Sequence, residues 1–104
     1  MFGNLAEMAN LMKKVKDIQK NMVELKEEMA RTEFSASSPD QAVVVVVSGD
    51  FNVKSIKITP EAAAKEDIGN TVAYVTNSAL AAAKSAMQSR MQEISGGMNI
   101  PGLF

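Results

Sequence analysis

The chain contains no cysteine, no histidine and no tryptophan among its 104 residues. Those absences exclude disulfides, thiolate nucleophiles and the usual zinc ligands, and they remove the side chain most often used for proton transfer near neutral pH. A metal or catalytic site would have to be built from carboxylates alone. No strong excess of either charge is present: the formal net charge is −1, so the molecule as a whole does not attract nucleic acid or an anionic membrane, and any such binding must come from local charge. A long apolar run is missing too. Near the N-terminus Glu7 interrupts the uncharged stretch and Lys13 and Lys14 follow it, which leaves no room for a signal peptide or a membrane span and points to a cytosolic protein. With 46% hydrophobic and 22% charged residues, the composition is that of a folded chain, long enough for one domain.

Most prominent among what is present is the stretch 4–31. Its apolar residues Met8, Leu11, Val15, Ile18, Met22, Leu25 and Met29 alternate three- and four-residue steps, a heptad seam. Asn4 followed by Glu7 resembles a capping box and predicts a helix start at Asn4. A helix of about 28 residues is ~42 Å long, whereas a compact chain of this size has a radius of gyration of about 13 Å. Such a helix must project from its globule or pair along its length, with a helix of the same chain or of a second copy. Its charge is uneven. Lys13, Lys14, Lys16 and Lys20 stand against Asp17 alone, while residues 21–33 carry Lys26 and Arg31 against Glu24, Glu27, Glu28 and Glu33. The basic half is N-terminal, and Lys13, Lys16 and Lys20 share one stripe away from the seam. That stripe reads either as a solvated face or as a contact surface for phosphates.

Beyond Arg31 the period changes. Thr32 to Ser38 and Ala42 to Ser48 read as two strands joined at Pro39-Asp40, and Phe51 to Thr59 as a third after Gly49-Asp50. Short connections make these an antiparallel meander over 32–59. The five consecutive valines, Val43 to Val47, predict a strand buried on both faces, and the third strand places Ile56 and Ile58 on one face with Lys57 on the other. Two sheet edges and a valine-rich strand favour pairing with a second copy. Thr59-Pro60 opens a helical region over 60–95 whose first turn is separate, with Asp67 as the cap of the main helix. Ile68, Val72, Val75, Ala79, Ala82 and Ala86 form its apolar face, continued by Met87, Met91 and Ile94. Gly96-Gly97 reads as a helix stop, followed by a tail over 96–104.

No constellation for catalysis emerges. Glu24, Glu27 and Glu28 read as solvated carboxylates, Ser78, Ser85 and Ser89 have no histidine to activate them, and the eight methionines fall mainly on helical seams, where they fill a core. Neither a cofactor nor a small-molecule substrate is implied, and the expectation is a protein without enzymatic activity.

This layout resembles the YbaB/EbfC family of small nucleoid-associated, DNA-binding bacterial proteins. Carrying the resemblance are Met1-Phe2-Gly3-Asn4-Leu5, then Leu11-Met12-Lys13-Lys14 with Gln19 and Met22. Val45-Val46-Val47-Ser48-Gly49 and Ile56-Lys57-Ile58-Thr59-Pro60 follow, then Asn77-Ser78-Ala79 and Gly97-Met98-Asn99-Ile100-Pro101-Gly102. It covers nearly the whole chain. The resemblance implies an α+β fold and a tweezer-like homodimer in which the strands form a shared body and long helices project as arms that hold duplex DNA. Lys13 and Lys14 match the family's basic helix positions. Charge alone adds Lys16, Lys20, Lys84 and Arg90, while Met8, Leu11, Val15, Ile18, Met22 and Val45 are the residues expected at the dimer interface or helix seam. No aromatic residue lies in the basic stripe, so contacts would be chiefly to phosphates. The alternative is a protein-interaction module whose exposed helical arms clasp a partner helix.

Overall fold

A computed structural model describes the backbone of residues 2–95 and the side chains of residues 5–94. Its elements are α1 (Phe2–Arg31), β1 (Glu33–Ser37), β2 (Val43–Ser48), β3 (Val53–Ile58), the single turn α2 (Pro60–Ala63) and α3 (Ile68–Ser95). The architecture is therefore α+β, a three-stranded antiparallel sheet in the order β1-β2-β3 between two long helices. Helix α1 starts two residues before the expected Asn4, at Phe2. The predicted stop at Gly96-Gly97 and the tail over 96–104 lie outside the described residues.

Each turn of the meander is locked by a short polar side chain. Between β1 and β2, the Ser38 hydroxyl donates to the Asp40 carboxylate at 2.7 Å, and the Ala42 N–H donates to the same oxygen at 3.1 Å. The Ser38 bond first, and then the Ala42 bond, hold the Asp40 carboxyl below its usual range. Between β2 and β3, Ser48 donates to Asp50 in the same manner, which lowers the Asp50 pKa, and the Asn52 N–H donates back to Ser48 Oγ at 3.3 Å. This second turn puts Phe51 in the left-handed region, at φ 68°. Beyond it Val47 pairs with Val53 while Val46 pairs with Ser55, so Lys54 is the extra residue of a β-bulge.

The valine strand alternates instead of being buried on both faces. Val43, Val45 and Val47 are fully covered, whereas Val44 and Val46 are half-buried. The reason is that both helices lie on one side of the sheet. Helix α3 packs its first half on β1 and β2 through Val75, Ala79 and Ala83, with Phe34 and Ala36 of β1 joining the same cluster. Ala83 takes the place on this face that periodicity assigned to Ala82, which is exposed. Small residues let the helix approach the sheet closely. Thr59 caps α2 as expected, its hydroxyl accepting from the Ala62 N–H at 3.2 Å, and Asp67 stands immediately before α3, its carbonyl accepting from Asn70 and Thr71.

The second half of α3 leaves the sheet and runs along α1. Ile18, Met22, Leu25 and Met29 are buried against Ala86, Met87, Met91 and Ile94. At the base of this two-helix stem α1 touches the β2–β3 turn, where the Gly49 N–H donates to both the Met29 carbonyl (2.8 Å) and the Thr32 carbonyl (2.9 Å). The predicted elongation follows: the radius of gyration is 20.0 Å and the longest dimension 73 Å.

Candidate nucleic-acid interface

Among the described residues, half of the seam on α1 has no helix beside it. Leu25 is 1% exposed within the stem, yet Leu11, in the same heptad series, is 53% exposed, and Leu5, Met8 and Met12 are exposed with it. Val15 is half-buried. Thus α1 satisfies both alternatives left open by its length, pairing with α3 through its C-terminal half and projecting alone with its N-terminal half. Residues 5–17 of this free arm would span about 20 Å at 1.5 Å per residue.

All four lysines of the basic stripe are exposed. With 100° between successive residues, Lys13, Lys16 and Lys20 emerge from the side of α1 opposite Ile18 and Leu25, while Lys14 flanks the seam. Lys13, Lys14 and Lys16 stand on the free arm and Lys20 at the top of the stem. An open groove of about 330 Å³ is lined by Leu11, Met12, Val15, Lys16 and Gln19. The Lys16 stem forms one of its walls.

The other two basic candidates are placed differently. Lys84 is exposed on α3. Arg90 is engaged: its guanidinium donates from both terminal nitrogens to the two carboxylate oxygens of Glu28, each at 3.0 Å, and its Nε lies 3.5 Å from Glu93. The hydrogen bonds that Arg90 donates to Glu28 come first in strengthening its hold on its proton. This fork joins α1 to α3 and consumes the donors that a phosphate would need. Sequence reasoning had no signal for it, because the partners are 62 residues apart.

Of the apolar candidates, Ile18 and Met22 are buried in the stem, while Met8 and Leu11 are exposed on the arm. Val45 belongs to the sheet core under α3 and is fully covered within its own chain. Sequence reasoning also missed how much of β3 stays uncovered. Ile56 and Ile58 pair with Val45 and Val43 and so share the helix-facing side of the sheet, yet α3 does not reach them. Ile56 is 44% exposed, and Phe51, Val53 and Ile58 extend the same apolar strip beside an unpaired strand edge. Among the described residues no group of three or more carboxylates is placed to hold a metal ion, and no helix is long and apolar enough to cross a membrane.

The site is thus a basic helical arm carried away from an α+β body. The chain belongs to the YbaB/EbfC DNA-binding family, whose model matches residues 3–98. It is 40% identical to a nucleoid-associated protein of Clostridium kluyveri, over 99% of the chain and 93% of that protein. One of Alkaliphilus metalliredigens is 36% identical over 98% of the chain and 92% of its own length. Another, from Synechocystis sp., is 32% identical over 97% of the chain and 90% of its own length.

Proposed function

We propose that this protein binds duplex DNA as a homodimer, chiefly through phosphates, and organises DNA at the nucleoid without catalysing a reaction. The observation that carries this reading is the free arm of α1, which sets Lys13, Lys14 and Lys16 on a single exposed helix with Lys20 below them. Lys84 is a further contact. Arg90 braces the stem instead, since Glu28 already takes up its fork. Family membership supports DNA as the partner. The uncovered strip Phe51, Val53, Ile56 and Ile58 supports self-association, because a second copy would bury apolar surface and give the β3 edge a neighbour.

The test is binding to a mixed-sequence duplex by fluorescence anisotropy across a salt series, with mass determined in parallel. The four α1 lysines of each protomer, roughly eight phosphate contacts per dimer, give a log–log salt slope of about −7, and a contact from Lys84 makes it steeper. Replacing Lys13, Lys14 and Lys16 by Glu leaves the dimer intact and abolishes binding; unchanged binding removes these lysines from the interface. The exposed groove at Leu11, Met12 and Val15 favours one second reading, a module that clasps a partner protein's helix. A dimer that fails to bind DNA even at low salt would turn the argument to it.

A further inference from the structure

The apolar residues of the free arm lie where the chain itself is next to arrive. Helix α3 runs antiparallel to α1 along the stem, and Ile94, one residue before its end, packs into the same cluster as Ile18. Above Ile18 the seam continues as Val15, Leu11 and Met8, flanked on one side by Met12 and Leu5, and among the described residues nothing of α3 lies beside it. We propose that this stripe is the docking surface of the chain's own segment 96–104, which continues the cover begun by α3. The proposal does not depend on DNA binding.

Two observations favour this occupant. First, α3 reaches Ser95 at the top of the stem, having run along α1 toward the arm. Nine residues reach as far as ~30 Å when extended, more than the ~20 Å of the arm. Second, the segment Gly-Gly-Met-Asn-Ile-Pro-Gly-Leu-Phe carries no charged side chain and four large apolar ones, Met98, Ile100, Leu103 and Phe104. It matches an apolar stripe and gives the lysines no counter-charge. Lys13 and Lys20 lie on the opposite side of α1 and stay exposed when the stripe is covered, whereas Lys16 borders it beside Met12.

Because the natural chain has no cysteine, a disulfide between two introduced cysteines reports one contact unambiguously. The variant L11C/I100C is oxidised at low protein concentration and resolved on a non-reducing gel, with the linked peptide identified by mass spectrometry. Glu24→Cys with I100C, placed on the exposed opposite face of α1, serves as the comparison. The expected result is at least tenfold faster linking of the L11C pair than of the comparison pair, in a product of single-chain mass. A product of twice that mass assigns the stripe to a second copy and overturns the proposal, as does equal linking of the two pairs. Amide hydrogen exchange supplies the second readout. Ending the chain at Ser95 should speed exchange in residues 5–17 at least tenfold while residues 18–29 keep their protection, and unchanged exchange in 5–17 overturns the proposal.

Discussion

At Gly49 the chain has room for a hydrogen and for nothing larger. A Cβ at this position would stand 2.7 Å from the Met29 carbonyl oxygen and 2.8 Å from Met29 Cβ. Both contacts are shorter than real side chains show, and the carbonyl is backbone that cannot turn aside. The same glycine donates its N–H to Met29 and Thr32, so relief by movement would strain the joint between α1 and the sheet. Gly49→Ala is therefore expected to cost about 1–3 kcal/mol, the range for overpacking a filled site, measured as a lower urea midpoint with an unchanged slope. The sequence shows a Gly-Asp turn at this point, but not that the end of a helix rests on it. The approach joins residues separated by two strands, and no local pattern encodes such a distance. For the same reason the Arg90–Glu28 fork was invisible among the charges of two helices. By contrast the polar locks of the turns, Ser38 with Asp40 and Ser48 with Asp50, involve residues two positions apart.

At the scale of the element, periodicity reports which face of a helix is apolar and is silent about how far a partner extends along it. The seven seam residues of α1 look alike in sequence, yet the structure divides them at Val15. Leu25→Ala empties a buried site and should cost about 2–5 kcal/mol. Leu11→Ala on the free arm should cost less than half as much, and thermal unfolding of the two variants compares them directly. The valine run shows the same limit. Its apolar, β-branched residues announce a strand, but the expectation of burial on both faces depended on a second cover that this chain does not supply. Helix α3 was read correctly in type and in its start after Asp67, and its face shifted by one residue at Ala83 because Ala82 and Ala83 are indistinguishable in a periodic count.

For the whole molecule, length was the informative quantity. The first helix is longer than a globule of this size, which announces an elongated particle; its 73 Å length comes from how the helices are placed on the sheet. How its elements dispose of their leftover apolar surface was not legible, since it depends on the sheet receiving both helices on one side. The strip along β3 is the result, and it gives the proposed homodimer its most specific test. Ile56→Asp places a charge where a second copy would pack. Analytical ultracentrifugation of that variant is expected to show a monomer whose circular dichroism matches the parent, because Ile56 is already 44% exposed within its own chain. A variant that remains dimeric would move the contact away from β3.

The stagger of the two long helices gives the molecule two independent dials. The span of α1 sets how far the tip stands from the sheet, whereas the point at which α3 stops sets how much of that span is stiffened by a second helix. Inserting one heptad into α3 before Ser95 would move the boundary between rigid and compliant rod by about 10.5 Å and leave every residue of the arm in place. Reach and flexural stiffness can therefore be tuned separately, by edits to different helices.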